Sequence, residues 1–223
     1  IDRTPGATVL DESVDLNGAI VIANELLDNV AFDIGLRRAA DDSLLAVDIA
    51  QDDAPTPEWS VVDRLPVEVP DDQPFPVLDG AARLVDMVRA GGARRLVAFD
   101  YGEVSTAVLA ERGGWLRTYR RHERGDDPFV EPGQWDITTD LAIDQLPEPS
   151  QQTTQADFLR RHGIEALVEE GRAYWAEHAA APDVSALLMR SRVREAEALL
   201  DPDGLGGFLC LEWGPTGGPA AVS

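Results

Sequence analysis

The sequence contains no lysine. All 19 basic residues are arginines, set against 41 acids, and the formal net charge is −22. Such an acidic excess opposes binding to phosphate backbones, whose affinity comes from basic groups that displace counterions, so no nucleic acid is expected as a partner. An acidic surface attracts a basic protein, although solubility alone also accounts for it. Cysteine is nearly absent as well. Cys210 cannot close an internal disulfide, and within the apolar residues 208–213 it reads as a buried core residue rather than a reactive thiol. The longest apolar runs, residues 19–23 and 96–99, are strand-sized, which excludes a membrane span. No basic segment leads into an apolar stretch, so no signal peptide is visible and a reducing cytoplasm is the expected location. The chain opens on Ile1 rather than Met, so the true N-terminus is expected upstream. The three histidines, His122, His162 and His178, have no Cys or His at ligand spacing, and no metal site is expected.

What is present reads as alternating strands and helices. Residues 1–17 form a polar, acidic loop before a buried strand over 19–23 that ends at Asn24 and Glu25. Residues 44–49 and 59–65 are expected strands, joined to the next element by a proline-rich irregular connection over 66–76. Asp79 is expected to cap a helix whose apolar positions Ala81, Leu84, Val85 and Val88 recur at helical spacing, with Gly91 and Gly92 ending it. A buried strand over 95–99 follows and ends in Asp100-Tyr101-Gly102-Glu103. Then come a short helix over 104–112, a strand over 115–120 and a loop-rich stretch over 125–149 that contains the segment 135–139. Thr154 and Asp157 have capping-box spacing, ahead of amphipathic helices over 164–180 and 184–200 and a last strand over 208–213. Helix–glycine–strand order is the unit of a parallel α/β sheet, whose ligand sites lie beyond the carboxyl ends of its strands. That rule selects residues 24–28 and 100–103.

At the first of these tips Glu25 and Asp28 are three residues apart, so on a helix they share a face. Two solvent-near carboxylates so placed can take the forked donors of a guanidinium, a proton or a metal, or can simply charge the first turn of a helix.

The residues Asn24-Glu25-Leu26-Leu27-Asp28 resemble the Asn-Glu-x-x-Asp motif of the MidA family, a branch of the class I S-adenosylmethionine-dependent methyltransferases. The resemblance continues through Asp100-Tyr101-Gly102, the run Gly114 to His122 with Leu116, Arg117 and Tyr119, and the run Asp127 to Thr138 with Pro132, Gly133 and Asp136. It ends in Thr154-Gln155, Phe158-Leu159 and Gly163-Ile164, and overall spans residues 18–213. The chain departs from the pattern at Asn29-Val30-Ala31, where the family has Ala-Leu-Pro. The Gly-rich cofactor turn of class I enzymes has no counterpart ahead of Ile20. The cluster Gly204-Leu205-Gly206-Gly207 follows a helix and precedes a strand, so it reads as a turn.

The resemblance implies one methyltransferase-like α/β domain over 1–223, with a mainly parallel Rossmann-like sheet, its first strands missing, and an added helical region over about 153–200. It implies S-adenosylmethionine as cofactor and methylation of an arginine on a partner protein, such as a respiratory-complex-type subunit. By the same resemblance Glu25, Asp28 and Asn24 carry catalysis, with Asn24 beside the cofactor. Asp100, Tyr101, Arg120, His122 and Asp136 then meet the substrate. A protein-binding module that does not hold the cofactor, and a methyltransferase for small molecules, are the alternatives.

Overall fold

The computed structural model describes residues 14–40, 43–49, 57–61, 68–120, 123–125 and 134–215. In chain order the elements are β1 (Ile20–Asn24), β2 (Asp33–Arg38), β3 (Ser43–Ile49), β4 (Pro57–Val61), β5 (Pro74–Val77), α1 (Asp79–Ala90), β6 (Arg95–Asp100), β7 (Gly102–Glu103) and α2 (Thr106–Arg112). They continue as β8 (Leu116–Arg120), β9 (Glu123–Gly125), β10 (Asp136–Thr139), β11 (Leu141–Ala142), β12 (Gln151–Thr154), α3 (Gln155–Arg161), α4 (Ile164–His178), α5 (Val184–Leu200) and β13 (Leu209–Trp213). No helix among the described residues is long and apolar enough to cross a membrane.

The central sheet has the order β1-β6-β13-β12. β1 and β6 pair in parallel, Asn24 opposite Phe99, whereas β13 runs antiparallel to both β6 and β12. The parallel character expected of this sheet is therefore confined to its β1–β6 half. Parallel neighbours require a crossover; here it contains α1 and a second, antiparallel sheet of order β4-β3-β2-β5. Two of the strands in that second sheet escaped the sequence. β2 carries Asp33, Arg37 and Arg38 beside Ile34 and Leu36, so its apolar signal is short. β5 lies in the proline-rich stretch read as irregular; it is an edge strand, where the missing N–H groups of Pro74 and Pro76 cost the ladder little. The expected strand over 59–65 begins earlier, as Pro57–Val61, and residues 62–65 lie outside the described residues, as do residues 1–13.

One face of the central sheet, through Ala23, Leu96, Ala98, Leu211 and Trp213, packs on Ala81, Val85 and Val88 of α1. The other, through Val97, Phe99 and Cys210, meets Phe158 of α3. Cys210 is buried there, and burial followed by the charge of Glu212 pushes its thiol up to about 11, as an inert core cysteine requires. Asp79 does not cap α1; it is the first helical residue, after Leu78. Thr154 does cap α3, its hydroxyl accepting from the Asp157 amide at 3.1 Å, and Asp183 caps α5.

An ion cluster fastens α3 to the sheet. Glu212 is buried on β13 and takes the guanidiniums of Arg95 from β6 and Arg161 from α3, the latter at 2.8 Å. Removing both arginines strands a buried carboxylate. Arg95→Ala with Arg161→Ala is therefore expected to cost on the order of 3–5 kcal/mol in urea unfolding, with Glu212→Gln in that background recovering part of it. A double variant as stable as the parent would contradict this role for the cluster.

Candidate functional site

Three successive residues at the end of β6 and just beyond it hold the tip of β1. The Phe99 carbonyl accepts from the Glu25 amide at 2.9 Å, Asp100 Oδ2 accepts from the Leu27 amide at 3.0 Å, and the Tyr101 hydroxyl donates to Asp28 Oδ2. With its amides so engaged, the chain after β1 does not enter an α-helix. Glu25 adopts a φ of 46°, a left-handed conformation uncommon outside glycine, and residues Leu27–Asn29 make a single 3-10 turn. The shared helical face expected for Glu25 and Asp28 is thus not formed, yet the turn brings both to one cleft. Glu25 is exposed, but Asp28, expected near solvent, is 1% exposed, its Oδ1 accepting from Asn29 Nδ2 at 2.7 Å.

The cleft has a volume of about 430 Å³. Among the described residues its acids are Glu25, Asp28 and Asp136, its aromatic rings Tyr101 and Tyr119, and its one cation Arg117, with Asn29 and Thr138 between them. β8 and β10 form the wall that carries Arg117, Tyr119, Asp136 and Thr138, Asp136 standing opposite Tyr119 in the antiparallel register. Arg117 lies over the Tyr101 ring at 4.2 Å and is ion-paired to buried Asp140, which also takes Arg112. Arg112 in turn reaches Glu103 at 3.1 Å. The charge of Arg117 is therefore matched by Asp140, and Glu25 and Asp136 present exposed carboxylates to the cleft beside buried Asp28, whose two oxygens already accept from Tyr101 and Asn29.

Burial first, and then the bond to Asp28, pushes the Tyr101 phenol up to about 12, so it stays a donor at neutral pH. Burial and the neighbouring Asp28 push the Asp100 carboxyl up to about 8, against the pull of the Leu27 and Asp28 amides. Together, carboxylates and aromatic faces suit a planar cation: forked N–H donors match carboxylate oxygens, and a guanidinium stacks on a ring. Among the described residues, no group of three or more His, Cys, Asp or Glu is placed to hold a metal ion.

Of the residues expected from the sequence, Glu25, Asp28, Tyr101 and Asp136 line the cleft. Asn24 sits exposed at the end of β1, with its amide 3.5 Å from Glu25 Oε1. Asp100 turns its carboxyl to the Leu27 amide, and Arg120 lies on β8 with its guanidinium 5.8 Å from the centre of the Trp135 ring. His122 lies outside the described residues. Sequence reasoning set Arg117 in a basic patch with Arg120, Arg121 and Arg124, able to neutralise carboxylates or meet an anionic ligand or partner, and gave no site role to Tyr119, Thr138, Asn29 or Asp140; period-two alternation in residues 116–120 was the signal that places Arg117 and Tyr119 on one strand face.

Gly102 adjoins the site for a steric reason. A Cβ there would overlap the Leu141 carbonyl oxygen across the β7–β11 pair. Gly102→Ala is expected to cost about 1–3 kcal/mol of stability by overpacking and to displace Tyr101 from Asp28. Chemical denaturation would check it, and wild-type stability would contradict it.

Among the solved structures that match the fold are two COG1565 superfamily proteins. One is an uncharacterized COG1565 superfamily protein from Burkholderia thailandensis, with a TM-score of 0.70, 22% identity and 95% of this chain covered against 58% of its own. The other is a COG1565 superfamily member from the same organism bound to S-adenosyl-homocysteine, again with a TM-score of 0.70 and 22% identity, with 95% of this chain and 57% of its own covered. This chain thus spans less than two thirds of the length of either structure. No curated protein matches it.

The described residues fit one side of a site for such a cofactor. Asn24 and Glu25, at the carboxyl end of a parallel strand, stand where a nucleoside-bearing ligand approaches an α/β sheet. The glycine cluster between α5 and β13 does not cradle one. A Cβ on Gly206 would come within 2.6 Å of the Leu200 backbone and one on Gly207 would overlap the Pro202 carbonyl, so these glycines serve chain packing. Across residues 10–162, more than half of the chain, the sequence matches the family described as "Putative S-adenosyl-L-methionine-dependent methyltransferase", and it is to this family that the chain belongs.

Proposed function

We propose that this chain supplies the acceptor-binding side of an S-adenosylmethionine-dependent methyltransferase, and that the acceptor is an arginine guanidinium on a partner protein. The observation that carries this reading is the cleft lined by Glu25, Asp28 and Asp136, in which Arg117, the only lining cation among the described residues, is already paired with Asp140. When bound, the cofactor supplies an electrophilic methyl group. The protein's own part is to hold the nucleophile. Glu25 and Asp28 would take adjacent N–H donors of the guanidinium and keep its positive charge on those nitrogens, leaving the third nitrogen free. Tyr101, fixed by Asp28 and Arg117, would limit rotation of the bound plane, and Asp136 would close the opposite wall. Positioning of this kind supplies much of the barrier reduction in a displacement reaction.

The test is incubation of the complete protein with methyl-labelled donor and a proteome from cells lacking the gene, followed by mass spectrometry of the labelled products. Label on arginine side chains is expected. Label confined to lysine or to small molecules would overturn the guanidinium assignment.

A further inference from the structure

We propose that Asp100 is a positioning residue: its buried carboxyl fastens the Leu27–Asn29 turn so that Asp28 is presented to the cationic group in the cleft. The inference rests on the proposed guanidinium site and adds a residue that never touches the substrate. Three observations point to it. Asp100 is 1% exposed, and its Oδ2 accepts from the Leu27 amide at 3.0 Å, so it grips the turn's main chain from the neighbouring strand. The turn needs holding, because Glu25 just before it has a φ of 46° and the turn's own side-chain bond is an exposed one, from Asn29 Nδ2 to the Glu25 carbonyl at 3.2 Å. Finally, Asp100 Oδ1 is buried without a hydrogen-bond partner.

A charged carboxylate with one oxygen buried and unpartnered is costly, whereas a neutral acid is much less so. The surroundings favour the neutral form. Asp28 and Glu25 on the β1 tip are both acidic, Tyr101 next in sequence is a neutral phenol, and on the β13 side the register partner is Leu209. Burial and these acids hold the proton on Asp100 up to about pH 8. Asp100 therefore places Asp28 without adding a second negative charge behind it, and Phe99 and Tyr101 supply the anchors on either side.

The experiment compares the wild-type chain with Asp100→Asn and Asp100→Ala, using amide exchange, carboxyl titration by NMR and binding of acetyl-arginine methylamide. The asparagine oxygen can still accept from Leu27 and carries no charge. Asp100→Asn is expected to keep the Leu27 amide protected, to bind the probe within about threefold of wild type, and to remove a carboxyl titration near pH 8. Asp100→Ala is expected to speed Leu27 exchange at least tenfold and to weaken the probe at least tenfold, with β6 and β13 amides still protected. Equal Leu27 protection in all three proteins, or unchanged probe binding in Asp100→Ala, would overturn the positioning role. So would the absence of any wild-type carboxyl titrating above pH 6 that Asp100→Asn removes. If the wild type binds no arginine probe, the guanidinium reading fails by itself, while the exchange and titration still judge the role of Asp100.

Discussion

Replacing Asp28 by asparagine in the complete protein is expected to lower methyl transfer by about a hundredfold or more, the scale of losing a charge contact made in the transition state. The change keeps side-chain volume and one acceptor oxygen for the Tyr101 hydroxyl, so the turn over Leu27–Asn29 should persist. Its stability cost is expected to stay near 1 kcal/mol, the scale of weakening the hydrogen bonding of one buried group. Glu25→Gln isolates the charge more cleanly. Glu25 is exposed, so its stability should move by no more than about 0.5 kcal/mol, while turnover falls by a comparable factor to Asp28→Asn. Labelled-donor assays run beside thermal melts would separate the two effects. Normal turnover in both variants would leave these acids as charges on a turn.

A second large effect is expected in the pH dependence of folding. The Asp100 carboxyl sits near 3.8 in an unfolded chain and is pushed up to about 8 in the fold. Between those values the folded protein holds a proton that the unfolded chain has released. The stability contributed by this group is therefore complete below about pH 3.8, declines as pH rises, and is gone above about pH 8. The limiting slope for one proton is about 1.4 kcal/mol per pH unit. Urea unfolding at pH 5, 6, 7 and 8 should show wild-type stability falling relative to Asp100→Asn by a few kcal/mol across the series. Parallel curves for the two proteins would show that Asp100 is not carrying the proton.

Much of this arrangement was legible in the residues themselves. The apolar runs that became β1 and β6 both ended in polar tips, and parallel pairing puts those tips on one edge of the sheet. Residues 184–200 stood out as a helix by their amphipathic pattern, and α5 forms over those same residues. The cleft was harder to read. Spacing suggested that Glu25 and Asp28 share a helical face, but local spacing carries no trace of Asp100, 73 residues further on, taking the Leu27 amide and stopping a helix from forming. Asp140 was invisible for a similar reason. Nothing near it in sequence says that it is buried under Arg112 and Arg117, and without it Arg117 looks like part of a free basic patch. Such long-range side-chain bonds decide which charges remain available.

The claim that those remaining charges recognise a guanidinium is tested most directly by a pair of titrations followed on backbone amides. The wild-type chain is titrated with acetyl-arginine methylamide and then with its neutral citrulline counterpart, which has nearly the same shape without the charge. The expected result is a saturable shift of the Glu25, Asp28, Tyr101 and Thr138 amides with arginine and at least tenfold weaker binding of citrulline. Equal response to the two probes, or shifts confined to residues away from this cleft, would contradict it.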